Sequence, residues 1–378
     1  MNKGIYVHFP FCDAKCLYCD FFSVPDMRKK ELYEEALATA LLSYKDLGIT
    51  ADTVFFGGGT PSLMSEAGAE KIFSALHTAF KITKDAEITL EANPSSLSSF
   101  PEKLSLFKSL GVNRLSLGAQ SMNEKELTAL GRRHSPLDVE NTVNSARRVG
   151  FDNISLDLMV RIPHQTPETL LDTLENAVSL SPDHLSLYTL SIEDRTVFGA
   201  RHKRGDSLSL ASEECEEEMW ESACSFLAKN GFEHYEVSNF AHDGKHSRHN
   251  LKYWRAQEYI GVGASAHSYF ESVRYSHPAG LDSFIENPTK RENEEAIDDT
   301  TRALEYVMLS LRLSDGILFD TLEKKHGIFL PKAFFVLAKR LEASGLAMLS
   351  DTGLTLTEKG WRVSNSIIEN VLETLDLM

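Results

Sequence analysis

The chain has 378 residues, 42% hydrophobic and 25% charged, with 55 acidic against 39 basic side chains and a net charge of −16. That length exceeds one small domain, and the composition is ordinary for a globular protein. The negative balance opposes a phosphate backbone, so no nucleic-acid partner is expected. No apolar run is long enough to span a bilayer, and the N-terminal MNKGIYVHFP lacks the apolar core and cleavage site of a signal peptide. A cytoplasmic protein without a transmembrane segment is expected.

The first β-rich run, Gly4–Phe9, leads straight into Cys12-Asp-Ala-Lys-Cys16-Leu-Tyr-Cys19. Further runs follow at Thr53–Gly58, Glu87–Asn93, Arg114–Gln120, Asn153–Val160 and His184–Ile192, with helical spacing between them. Six βα units in series predict a parallel sheet with right-handed crossovers. Six falls short of a closed eight-fold barrel, so the fold class is α/β, a partial (β/α)6 barrel. Gly231–Ala241 reads as a further strand leaving that sheet. A His-rich stretch, His249–Trp254 and the Gly-rich Gly261–Tyr269 follow. From about residue 300 the character changes to helices at Arg302–Leu313 and Pro331–Ser344. A hairpin signal at Ser350-Asp351-Thr352-Gly353 and a last helix complete an α+β, wing-like unit. The predicted domains are 1–230, 231–299 and 300–378.

Three of the five cysteines lie within eight residues, a poor disulfide framework and a good metal-ligand cluster. Structural zinc usually takes four protein ligands. A four-iron cluster held by three thiolates leaves one iron open to a small molecule. His8 alternates along a strand and reads as a packing residue rather than a fourth ligand. The triad follows the first strand, where working groups of βα barrels gather. Gly57-Gly58-Gly59-Thr60, Glu91, Gln120, Asp157 and Glu193 fall at or near later strand ends.

The motifs CDAKCLYC, GGGTPS, EANP, LGAQS, LGRRH, SLDLM, SLYTLSIE, HYEVSNFA, HNLKYW and GVGASAHSY together resemble the radical S-adenosylmethionine superfamily. They are most similar to its branch of oxygen-independent coproporphyrinogen III oxidases and HemW heme chaperones. The resemblance implies a [4Fe-4S] cluster on Cys12, Cys16 and Cys19. It implies S-adenosylmethionine contacts at Tyr6, Tyr18, Gly58, Gly59, Thr60, Glu91, Gln120, Arg132 and Asp157. Arg132 suits the cofactor carboxylate, and Glu91 or Asp157 its hydroxyls or amino group.

Within that branch, the oxidases resemble this chain but carry a long arm before the cluster and a further cysteine two residues after it. Here eleven residues precede Cys12, and Phe21 stands at that later position. The HNxxYW pattern of His249–Trp254 also points to the chaperone side, with His249 contributing to heme binding. The resemblance thus implies heme as a third bound group and a respiratory protein as its acceptor. It allows a homodimer and peripheral membrane contact. The alternative is an enzyme that oxidatively decarboxylates a porphyrinogen. A radical RNA-modifying enzyme and a zinc-binding interaction module fit the charge and the triad less well. One departure stands out. Where the family reads close to YGLPGQT, this chain has Arg161 and His164 in place of glycines, so an altered pocket, or an Arg161 partner for a propionate, is expected.

Overall fold

A computed structural model describes residues 2–377. Six parallel strands form its centre: β1 (Lys3–Phe9), β2 (Thr50–Gly58), β3 (Lys81–Ala92), β4 (Arg114–Gln120), β5 (Ile154–Val160) and β6 (His184–Thr189). Helices cross over between them. Each predicted run becomes a strand, with boundaries shifted by a few residues.

The expected single strand at 231–241 is instead a hairpin, β7 (Glu233–Glu236) and β8 (Asn239–Ala241). β8 joins β6 antiparallel and so caps that end of the sheet. The other end grows beyond β1. There β9 (Tyr259–Val262) pairs parallel with β1, and β10 (His267–Phe270), β11 (Val273–Ser276) and β12 (Glu292–Ala296) continue antiparallel. The twelve strands run β12-β11-β10-β9-β1-β2-β3-β4-β5-β6-β8-β7, an open arc with no pairing between its ends among the described residues.

Strand alternation sorts the side chains. Ile5, Val7, Val54, Phe56, Ile88, Leu90, Leu115, Leu117, Leu156, Leu158, Leu185 and Leu187 are buried in the main core. The intervening positions include Tyr6, Glu91, Arg114, Ser116, Asp157 and Ser186, which line a cavity on the opposite face. The concave face is therefore polar, unlike the packed interior of a closed barrel.

The C-terminal part builds a second core around Val307, Leu322, Phe334 and Val371. Its helices include Asp299–Ser310, Phe319–His326, Lys332–Ala343 and Ser364–Thr374. The hairpin β14 (Ala347–Leu349) and β15 (Gly353–Leu356) is joined by a short strand, β13 (Ile317–Leu318). Arg362 ties this unit to helix Glu213–Lys229 through Glu217 at 2.7 Å and Glu221 at 3.2 Å. No helix among the described residues is long and apolar enough to cross a membrane.

Candidate cofactor site

The cysteine loop follows β1 and is pinned from three directions. Cys12 N–H donates to the Val24 carbonyl at 3.1 Å, and Leu17 N–H to the Leu130 carbonyl at 3.2 Å. Phe198 N–H donates to the Leu17 carbonyl at 3.0 Å. Leu17 and Tyr18 pack on a small apolar cluster of Leu130, Met159, Ile162, Leu190, Phe198 and Leu208. Gly131 closes helix Glu124–Leu130 at φ +75°, and a Cβ there would stand 2.9 Å from Leu17 Cγ. The glycine is needed both for the left-handed turn and for the approach of the loop.

The loop faces a cavity of about 390 Å³, within the range of about 300–1,000 Å³ usual for small-molecule sites. Cys12, Cys16, Cys19, Tyr18, Gly58, Gly59, Thr60, Glu91, Gln120, Arg132 and Asp157 all border it. Tyr6 lies one step away, in an adjoining cavity of about 240 Å³ deeper in the arc that shares Gly58, Glu91 and Asp157. Glu193 borders neither.

Thr60 Oγ1 donates to Cys12 Sγ at 3.4 Å, and an Arg132 N–H donates to Cys16 Sγ at 3.4 Å. Arg132 also donates to Asn93 Oδ1 at 2.7 Å and to the Gly118 carbonyl, while its Nε is buried without a partner. Burial pushes the Cys12 and Cys19 thiols above their usual range, against hydrogen bonds that favour the thiolate. The three sulfurs are not gathered within 4.8 Å of one another. A single zinc ion would draw its thiolates to one point. A polynuclear cluster binds each to a different iron, so the spread fits a cluster. His8 offers no fourth ligand: one ring nitrogen meets Tyr6 Oη at 2.9 Å and the other the Phe22 carbonyl at 3.0 Å.

The Gly-rich edge has two distinct tasks. Gly59 must be small because a Cβ would lie 2.7 Å from the Phe11 carbonyl oxygen. Gly58 sits at φ +110°, where a Cβ would enter the His8 ring. Its N–H donates to Glu91 Oε2 at 3.1 Å. Burial, reinforced by Asp157, pushes the Glu91 carboxyl up to about 8. Asp157 is also pushed upward by burial, although Ser116 donates to it at 3.1 Å. Gln120 takes φ +66°, an unusual conformation for a non-glycine residue.

Three cavity residues went unread in the sequence. Arg114, 2% exposed, opens β4 and faces the deeper cavity with Glu91 and Asp157. Asn93 orients Arg132, and the half-exposed Tyr188 borders both cavities. Period-2 alternation through the SLYTL run could have flagged Tyr188 as sharing a face with Ser186.

His249 does not reach either cavity. It is 0% exposed, with Nδ1 2.9 Å from Thr53 Oγ1 and Nε2 2.9 Å from Tyr253 Oη. Burial holds it neutral, with a pKa lowered to about 3. Its neighbours Asn250 and Tyr253 face the deeper cavity instead. Glu87 accepts the N–H groups of Arg248 and His249, each at 3.0 Å, and so fixes the start of this short helix, Arg248–Trp254.

The two glycine replacements also lie off the cavity. Arg161 and His164 take φ +66° and +68°, the left-handed values that glycine accepts freely. Arg161 turns away to Glu216 at 3.2 Å, and His164 is exposed. Neither residue borders the cofactor cavity, and what the two replacements carry is backbone strain.

A profile of the radical SAM superfamily matches residues 6–177, and one of the HemN C-terminal domain matches residues 297–363. The heme chaperone HemW of Lactococcus lactis is 35% identical over 98% of this chain and 97% of its own length. The chain belongs to the HemW family. The HemW of Bacillus subtilis is 35% identical over 97% of this chain and 98% of its own. Coproporphyrinogen III oxidase HemN of Escherichia coli superposes with a TM-score of 0.84 over 99% of this chain and 90% of that one. At 22% identity that likeness shows the shared radical SAM fold. Membership of the superfamily implies a [4Fe-4S] cluster and S-adenosylmethionine, and the cysteine loop and its cavity fit both.

Proposed function

We propose that this HemW-family chain is a heme chaperone that binds heme, a [4Fe-4S] cluster and S-adenosylmethionine and passes heme to a respiratory protein. The observation that carries the reading is the likeness to the heme chaperones named above, which covers at least 97% of each chain. Phe21, where the oxidases have a further cysteine, supports the same side.

In this reading Cys12, Cys16 and Cys19 would hold the cluster. When bound, it would supply a coordination site for S-adenosylmethionine and an electron. Arg132 takes the cofactor carboxylate, using the buried guanidinium face that Asn93 and Gly118 hold in place. Gly58, Gly59 and Thr60 offer a close backbone edge, and Tyr18 and Gln120 border the same cavity. Glu91 and Asp157 accept from the ribose or amino group, and Tyr6 closes the deep side. His249 contributes to heme binding indirectly, by holding the Tyr253 phenol from behind.

The test is anaerobic. Reconstituted protein is titrated with heme and, separately, assayed with coproporphyrinogen III. Stoichiometric heme binding without decarboxylated product is expected. Multiple turnovers of product would overturn the chaperone reading in favour of the oxidase.

A further inference from the structure

A third cavity, of about 810 Å³, opens on the other side of the cysteine loop. It runs between that loop and the turn joining β9 to β10. Phe21, Tyr253 and Tyr259 give it aromatic walls; Lys15 stands on its border as a cation, and Arg195 is paired there with Asp20, which also borders it, at 3.2 Å. Two imidazoles line it, His8 and His267. His8 is buried with both nitrogens engaged. His267 is exposed, between the buried Ala266 and Ser268. Its ring makes no hydrogen bond or ion pair among the described residues.

The turn that carries His267 is rigid. Gly261 N–H donates to Ser268 Oγ at 2.9 Å, and Ala266 N–H to the Gly263 carbonyl at 3.0 Å. The Tyr33 hydroxyl accepts from Ala264 N–H at 3.0 Å. Gly263, at φ +122°, would place a Cβ 2.6 Å from the His8 carbonyl oxygen, so this turn lies directly against β1. A fixed backbone with a free imidazole is how a protein presents a metal ligand.

We propose that this groove holds an iron tetrapyrrole and that His267, rather than His249, ligates its iron. The inference rests on the heme-binding reading above. A planar macrocycle needs apolar and aromatic faces, a nitrogen ligand with no other partner and a cation for a carboxylate. The groove supplies all three. His249 supplies no free nitrogen, because Thr53 and Tyr253 occupy both.

The experiment is a heme titration of the full chain, read by the Soret band, for the wild type, His267→Ala and His249→Ala. His267→Ala should lose the imidazole-ligated spectrum and bind roughly tenfold or more weakly. Added free imidazole should restore the spectrum, which a purely structural role would not predict. His249→Ala should weaken binding while keeping the wild-type Soret position. An unchanged spectrum and affinity in His267→Ala would overturn the ligand assignment and leave the heme reading standing. Failure of the wild type to bind heme would sink that reading itself. His267 is exposed, so thermal unfolding of His267→Ala should match the wild type and exclude misfolding.

Discussion

Nε2 of His249 lies 2.9 Å from the Tyr253 phenol, four residues on and one helical turn away. The contact joins a residue buried under β1 and β2 to one that faces two cavities. Tyr253→Phe removes only the hydroxyl and should cost about 1 kcal/mol. His249→Ala leaves Thr53 unpaired and opens a hole beside Phe55, and should cost about 3 kcal/mol. Unfolding of the two variants beside the wild type measures the difference.

Arg132 gives a prediction that separates cluster from cofactor. Arg132→Ala should weaken S-adenosylmethionine binding by roughly tenfold or more, as loss of a charge-assisted hydrogen bond does. Iron and sulfide content should stay near wild type, because the three thiolates remain. Cys16→Ala should lower both. Equilibrium dialysis with labelled cofactor, next to iron analysis, reads the two effects.

The carboxyl of Glu91 yields a pH dependence. Its pKa is raised by burial, with Asp157 adding to the effect, from 4.5 to about 8. The unfolded chain releases this proton first, so folding takes up a proton across that window. The contribution to stability is fully present below about 4.5 and is lost as pH rises through about 8. Glu91→Gln carries no such proton. The melting temperature of ligand-free wild type, measured relative to Glu91→Gln, should therefore fall steadily across the window. A flat difference would show that Glu91 titrates normally.

Position 164 tests backbone strain alone. A left-handed non-glycine residue costs about 1–2 kcal/mol. His164→Gly relieves it but frees the unfolded chain, so a net gain of about 1 kcal/mol or slightly less is expected. Arg161→Gly should gain less, since it also loses the contact to Glu216. Denaturant midpoints of the two variants supply the comparison.

The six central strands and the cysteine loop were readable because their signals are local. Alternating apolar runs ending in glycine or a polar residue need no tertiary knowledge. The same holds for the strand-end groups Gly58, Glu91 and Gln120, which a parallel sheet must bring to one rim, with Asp157 inside β5 on the same face. What was not readable depended on contacts distant in sequence. Gly231–Ala241 looked like one strand, yet it folds back because β8 finds β6. Arg114 drew no notice as the first residue of its run, yet strand alternation turns it inward to the deeper cavity. His249 has the chemistry of a ligand, but its partners Thr53 and Glu87 lie far upstream.

Phe21 is 71% exposed and borders all three cavities: the cluster pocket, the polar interior of the arc and the His267 groove. Among the described residues it is the one that all three share. Any change at position 21 therefore alters the walls of all three cavities together, and Phe21→Ala should be felt in each of them rather than in one.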